Sequence, residues 1–465
     1  MDSSNGTTRD THLNETKISK QDLTQGPVVL TMVKFALPMI LGNLLQQCYN
    51  IADTFIVGRF LGPNALAAVG SSFTLMTFLT SILLGLCMGS GTVFSIRFGK
   101  KDEEGLKERI FTSFVLIALL TVLLNVVVFL GMDWILDFLQ VPNQVYELMR
   151  DYLIVIFCGL SATFLYNYFA SLLRAVGNST APLMFLTISA ITNIILDLWF
   201  VIGLKLGVVG AAQATVIAQF ISGIGIALYT WICFPKLRIQ RRHCHMKYTC
   251  IREISNYSLL TCMQQSIMNL GILMVQGLVN SFGPIVMSAF AAAVKIDAFA
   301  YMPVQDFGNA FSTFIAQNYG ANKKERIHNG FKGAVCFSVL FCILISGIVW
   351  IFAEPLMRLF VSAKETLIIA EGVRYLRIEG AFYCGIGCLF LLYGLYRGMA
   401  KPEMSIVLTI LSLGTRVILA YILSAIPTIG LIGIWWSVPI GWGLADLVGF
   451  VYYKYKKDTL FCWKI

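Results

Sequence analysis

Two aspartates lie inside long apolar segments: Asp53 in FALPMILGNLLQQCYNIADTFIVG and Asp197 in PLMFLTISAITNIILDLWFVIG. A carboxylate at bilayer depth costs roughly 2.5–3.5 kcal/mol on insertion scales, so it is expected to face a cavity and act on an ion or substrate. In the topology derived below, both segments run from the cytoplasm outward. Asp53 then sits about five residues before the outer end of its span and Asp197 about six before its own. At about 1.5 Å of rise per residue, the two carboxylates share one depth. The alternative for each is a hydrogen bond to a neighbouring helix.

The elements that must position them follow from composition. The chain has 465 residues, 57% hydrophobic and only 13% charged, with a mean hydropathy of +0.74. Soluble chains carry about 25% charged residues, so this is a polytopic membrane protein. Apolar stretches long enough to span recur about twelve times. They fall near 33–57, 66–95, 110–131, 152–173, 181–203, 209–234, 256–281, 288–317, 331–353, 375–396, 403–426 and 430–453. Basic residues gather in alternate connections: Arg97 to Arg109 after the second span, Lys236 to Arg252 after the sixth and Lys323 to Lys332 after the eighth. The intervening connections are poor in Lys and Arg. The positive-inside rule then predicts a multi-pass plasma-membrane protein with both termini cytoplasmic. Residues 1–26 are polar and read as a flexible cytoplasmic tail, with a second tail at 458–465.

The net charge of +10 is thereby explained as topology, and no nucleic-acid partner is expected. Partners reduce to the lipid bilayer and a small-molecule substrate, handled by a monomer. The twelve cysteines fall in spans or on cytoplasmic segments, which argues against disulfides. His243, Cys244, His245 and Cys250 match no zinc spacing well. Aspartate-rich motifs for pyrophosphate and Mg²⁺ are missing, so no enzyme and no cofactor are expected. The segment 132–139 alternates acids with large apolar residues and should lie along the outer membrane surface, with Trp134 at the headgroups.

The chain repeats itself. Gly62-Pro63 recurs as Gly283-Pro284 and Gly99 as Gly320, each 221 residues on. Arg174 recurs as Arg397, Gly207 as Gly430 and Gly210 as Gly433, each 223 residues on. Six spans per copy is an even number, so the copies are parallel repeats about an axis along the membrane normal. The expected fold is an all-α membrane protein of twelve transmembrane helices in two six-helix lobes around a central cavity. The N-lobe covers 27–234, a basic linker 235–254, and the C-lobe 255–457. Such a fold suits alternating access.

ADTFIVGRFLG at 52–62, LRAVGNSTAP at 173–182, NIILD at 193–197 and the duplicated layout resemble the MATE (multidrug and toxic-compound extrusion) transporters. The resemblance runs from about residue 27 to 455 and lies in the joint order of the motifs. It implies an antiporter exporting organic, often cationic or aromatic, compounds in exchange for H⁺ or Na⁺. The family's N-lobe cation site maps onto Asp53, Asn193, Asp197 and Thr215. Asn193 and Asp197 are four apart and share a helix face. Thr215 lies about six residues into its span, at the depth of both aspartates. Carboxylate, amide and hydroxyl oxygens are hard donors suited to Na⁺. Pro38 matches a family proline that accompanies bending of the first helix. A lipid-linked-precursor flippase or a dedicated metabolite exporter is the alternative within the superfamily.

The C-lobe points to the DinF-like or MepA-like branch rather than the NorM-like one. The seventh span carries Gln264 and Gln265 and no acid, and the tenth, AFYCGIGCLFLLYGLYRG, reads as acid-free. The repeat maps Asp53 onto Met274, Asp197 onto Ala420, Thr215 onto Val438 and Asn193 onto Arg416. Lys295, Asp297, Asp306 and Arg416 remain as an intramembrane C-lobe charge network, with Arg416 expected to pair with Asp297 or Asp306.

Overall fold

The computed structural model describes residues 22–138 and 141–460; most of the predicted N-terminal tail and the end of the C-terminal one lie outside them. Among the described residues every regular element is helical. The first half comprises α1 (Val28–Phe60), α2 (Pro63–Gly99), α3 (Glu103–Leu130), α4 (Met132–Phe138), α5 (Asn143–Cys158), α6 (Leu160–Ala175), α7 (Thr180–Asp197) and α8 (Gly207–Cys233). The second comprises α9 (Tyr248–Asn280), α10 (Pro284–Gly320), α11 (Lys324–Ile351), α12 (Ala353–Arg358), α13 (Thr366–Gly380), α14 (Tyr383–Gly398), α15 (Pro402–Ser424) and α16 (Leu431–Leu460).

Ten of these are long and apolar enough to cross a membrane, and two bent pairs bring the number to twelve. The pairs are α5–α6, bent by 43°, and α13–α14, bent by 52°. They are the fourth and tenth spans, which start at Asn143 and Thr366 rather than near 152 and 375. Their first halves, NQVYELMRDYLIVIFC and TLIIAEGVRYLRIEG, are apolar along one face only, so a run of continuous apolar residues begins too late to reveal them. At the first break, a Cβ on Gly159 would lie 2.9 Å from Gln219 and Val216, so bare backbone there lets α8 approach. The duplicated turns are alike in conformation. Gly62 and Gly283 have φ of 88° and 96°, which favours glycine, and each precedes a proline at the first helical position.

Two hydrophobic cores lie side by side. One gathers α2 to α6 and α8 with Ile254 of α9, the other α9 to α16, and a small third cluster joins Ala181 of α7 to Ala170, Leu173, Val176, Ile226 and Phe234. The first helix belongs to both. Its residues Met32, Phe35, Ala36 and Met39 pack in the second core with Leu23, while Ile56 and Val57 pack in the first. The change of partner falls between Ile40 and Ile56, beyond Pro38, which interrupts the helix ladder without breaking the helix.

The halves meet closely at the end that carries the basic connections. A Cβ on Gly85 would lie 2.6 Å from the Cys262 backbone, on Gly89 2.4 Å from the Tyr257 carbonyl, and on Gly99 2.0 Å from the Gln317 carbonyl. Gly320, the repeat counterpart of Gly99, would meet the Ile96 carbonyl at 2.1 Å. Ser90 and Ser258 hydrogen-bond at 2.9 Å across the same seam, and Gln317 donates to the Ala175 carbonyl at 2.7 Å. Near the other end, Gly70 and Gly277 have no neighbour within 4 Å. The structure is therefore sealed at its basic end.

Ion pairs reinforce that end and account for the basic linker. Glu253 on α9 accepts from Arg97 of α2 at 2.9 and 3.0 Å and from Arg109 of α3 at 2.7 Å. Lys236, Arg242, His243 and Lys247 meet Glu103, Glu104 and Glu108 at the start of α3. Much of the linker's charge thus meets the protein's own acids, while Arg238 donates to the Trp231 and Ile232 carbonyls. The predicted surface segment forms the short helix α4, with Trp134 exposed.

Gly89→Leu and Gly320→Leu should each force the seam apart, because the contact is backbone that cannot yield. The cost should be about 1–3 kcal/mol or more against the sealed form. Labelling of cysteines introduced beside the seam should rise severalfold over the parent in nanodiscs. Unchanged labelling would show that the halves do not meet as described.

Candidate functional site

Three helices bring the N-lobe residues together. The distal part of α1 carries Asp53, the last turn of α7 carries Asn193 and Asp197, and α8 carries Thr215. Asp197 is the final residue of α7, and the chain continues into a π-helical turn, Leu198–Gly203. Such widened turns free backbone from the regular ladder and recur at functional sites.

The site is buried and short of donors. Asp197 is 0% exposed and Asn193 2%. Asn193 donates its amide to Thr215 Oγ1 at 3.2 Å, which ties α7 to α8. The carboxyls of Asp53 and Asp197 stand against each other. No hydrogen-bond donor reaches Asp53 Oδ1, Asn193 Oδ1 or either oxygen of Asp197. Ionised carboxylates only accept, so neither can satisfy the other. Two like charges at hydrogen-bonding range repel by roughly 4 kcal/mol at an effective dielectric constant near 20. The arrangement is stable only when a positive species joins it. Four orphaned oxygens on three side chains of two types, carboxylate and amide, suit a small hard cation, and either carboxyl suits a proton. Among the described residues no cluster of three or more His, Cys, Asp or Glu side chains is placed to hold a metal.

Two tyrosines complete the walls. Tyr49 on α1 and the buried Tyr152 on α5 both lie within electrostatic reach of the two aspartates. Tyr49 stands four residues before Asp53 and shares its helix face, a spacing that could have revealed it. Nothing local marks Tyr152, which comes from a half-helix hidden by its amphipathic composition.

The C-lobe differs from the expected network in three ways. Lys295 is exposed beside a hollow of about 430 Å³ lined also by Ser288, Phe360 and Ser362, away from Asp297 and Asp306. Asp306 is met by Asn43 of α1, not by Arg416. Asp297 does share its surroundings with Arg416, but with a third charge that the sequence reading missed, Glu379. Glu379 is 3% exposed at the end of α13, so the tenth span is not acid-free. It falls within the predicted span 375–396, just before the apolar run taken as that span's interior.

This C-lobe cluster clothes its own charge. Tyr383 donates to Asp297, Tyr375 donates to Glu379 at 2.9 Å, and Arg416 lies within electrostatic reach of both acids, without an ion pair to either among the described residues. Three helices, α10, α13–α14 and α15, are joined there. The N-lobe pair has no such coat. Arg416→Ala should therefore destabilise the protein by about 1–3 kcal/mol, since it removes a positive charge within reach of two buried acids. Thermal unfolding in detergent should show a clear drop in Tm, whereas an unchanged Tm would mean that the guanidinium does not neutralise the cluster.

Comparison with known proteins agrees with this architecture. The MatE family model matches residues 38–199 and 258–422, one segment in each half. The chain is 28% identical over 442 residues to the probable multidrug resistance protein YpnP of Bacillus subtilis, covering 94% of this chain and 97% of that one. It is 25% identical over 366 residues to a FAD transporter of Shewanella oneidensis, covering 75% and 78%. A MOP superfamily transporter from Pyrococcus furiosus superposes with a TM-score of 0.90 at 24% identity, over 95% of this chain and 98% of that one. Duplicated helical halves, a donor-poor acidic site in one of them and a family match in both lead to one conclusion: the chain belongs to the MATE family of membrane transporters and is not an enzyme.

Proposed function

We propose that this protein is an antiporter that exports organic, cationic or aromatic compounds in exchange for H⁺ or Na⁺, and that Asp53, Asn193, Asp197 and Thr215 hold the coupling ion. The observation that carries this reading is the pair of facing carboxyls with no donor. Such a pair binds a proton or Na⁺ strongly and is left with uncompensated charge when the ion departs. Asp53 sits on the helix shared by both cores, and Asp197 on α7, whose Ala181 packs in a small third cluster with α6 and α8. Ion binding therefore changes the attraction between two elements that must move relative to each other.

The sealed end bears the basic connections, so the positive-inside rule makes it cytoplasmic and this conformation outward-facing. Reversal requires the seam at Gly85, Gly89, Gly99 and Gly320 to part. Pro38 removes one hydrogen bond from α1 near its change of partner and supplies a bending point. The relative named as a multidrug resistance protein favours a broad organic substrate. The relative named as a FAD transporter, together with the unpaired Nε of Arg174, favours a second reading, a dedicated exporter of an anionic metabolite. A phosphate-binding flippase is disfavoured, because Arg416 has Asp297 and Glu379 within electrostatic reach and Lys295 lies apart from it.

Efflux from proteoliposomes under a pH gradient and a Na⁺ gradient in turn tests the proposal. Asp53→Asn and Asp197→Asn should each reduce gradient-driven efflux more than tenfold, which corresponds to a loss above about 1.4 kcal/mol of coupling. Near-normal efflux from either variant would make that carboxylate structural.

Asn193→Ala and Thr215→Val separate the two ions. A proton needs only a carboxyl, whereas Na⁺ uses the amide and hydroxyl oxygens as well. Both variants should lose more Na⁺-driven than proton-driven efflux. Equal loss under the two gradients, or a wild type indifferent to Na⁺, would remove Na⁺ from the reading.

A further inference from the structure

Asp306 is a carboxylate that the fold does not require. It lies on α10, 3% exposed, and one of its oxygens has no hydrogen-bond partner. Its repeat counterpart at the offset of 221 is Gly85, a bare backbone contact. The polar face Asp306, Asn309 and Ser312 corresponds in the first half to Gly85, Met88 and Gly91. The same packing is thus achieved there without a charge.

The groups around Asp306 come from both halves. Asn43 of α1 donates to its Oδ1 at 2.5 Å. Arg174, at the end of α6, is within electrostatic reach but forms no ion pair with it among the described residues. Arg397 of α14, the counterpart of Arg174, spends its donors on Ser312 at 3.1 Å and Asn309 at 3.0 Å. The direct hold on Asp306 is therefore the Asn43 amide. A bond from an amide to a buried carboxylate is charge-assisted and among the stronger kinds.

Asn43 occupies a particular place on α1. It follows Pro38 by five residues, just after the helix leaves the C-lobe core and before it reaches Asp53. Five residues give a lever of about 7.5 Å. A bend of about 20° at the proline displaces the end of that lever by roughly 2.6 Å, enough to break a hydrogen bond.

We propose that the Asn43–Asp306 hydrogen bond is a positioning contact for transport: it couples the α1 segment that carries Asp53 to the C-lobe and makes closure of the basic end depend on occupancy of the N-lobe site. This rests on the antiport reading above. The contact holds the α1 segment to the C-lobe in the sealed conformation and is released when α1 changes direction.

The test combines variants with two readouts in nanodiscs and proteoliposomes. Asn43→Ala and Asp306→Ala remove the bond. Asp306→Asn keeps an acceptor for Asn43. The exchange Asn43→Asp with Asp306→Asn rebuilds an amide–carboxylate pair in reverse. Spin-label distances across the basic end report closure as pH and Na⁺ are varied; efflux reports coupling. Wild type should change its distance distribution with the ion. Each alanine variant should lose that ion dependence and about tenfold of coupled efflux, and the double alanine variant should fall no further than the singles. Ion binding at Asp53 and Asp197, read by equilibrium titration, should stay within about twofold of wild type, which a merely unfolded site would not show. Asp306→Asn and the exchanged pair should regain most of the ion dependence. Retained ion dependence in either alanine variant, multiplicative losses in the double variant, or no recovery by the exchanged pair would overturn the proposal. A variant that does not fold leaves Asp306→Asn and the exchanged pair to decide by the same recovery criterion. Indifference of wild type to both ions would instead refute the antiport reading beneath it.

Discussion

Asp53 and Asp197 confront each other, the first half-buried and the second fully buried, and an ionised carboxylate accepts but cannot donate. That one contact constrains the rest of the N-lobe. Unpaired, the two charges drive α1 and α7 apart; joined by a cation or proton, they draw the helices together. Asn193 and Thr215, already bonded to each other, add oxygens without adding charge. The π-helical turn after Asp197 ends the regular ladder at the residue where a widened backbone is useful. The site is incomplete by construction, and an incomplete site is what a transported ion requires.

The duplicated fold makes the asymmetry informative. Both halves bury a pair of acids, Asp53 with Asp197 and Asp297 with Glu379, but at positions that the repeat does not relate. In the C-lobe, two phenols and a guanidinium surround the pair. In the N-lobe no donor reaches either oxygen of Asp197. The same chemistry thus stands in two settings, one joining helices within a lobe and the other, in the proposed reading, left open to an exchanging ion. The first helix connects these worlds, since its first half packs in one core and its second half in the other.

Much of this was legible in the sequence because it depends on local composition. Span number and duplication follow from hydropathy and from glycine and proline spacing. Features set by tertiary choice were hidden. Glu379 sits in a half-helix whose apolar residues line one face only, so the continuous apolar run begins after it. The sequence offers Arg416 to Asp297 or Asp306; it lies within reach of Asp297, while Asp306 is met by Asn43 of α1, and no local pattern announces a helix that changes allegiance. Lys295 was grouped with Asp297 by proximity in sequence, although helix geometry turns the two side chains to different surroundings. The glycines of the seam were visible as repeats, but their purpose appears only when two backbones touch.

The most direct test of the N-lobe as the seat of coupling is to count the ions released when substrate binds to purified protein in nanodiscs, using calorimetry in buffers of different ionisation enthalpy for protons and a Na⁺-sensitive probe for Na⁺. The account predicts that wild type releases a coupling ion on binding substrate. It also predicts that the double variant Asp53→Asn, Asp197→Asn binds substrate with no such release. Undiminished release from the double variant would place the exchanged ion elsewhere and contradict the account.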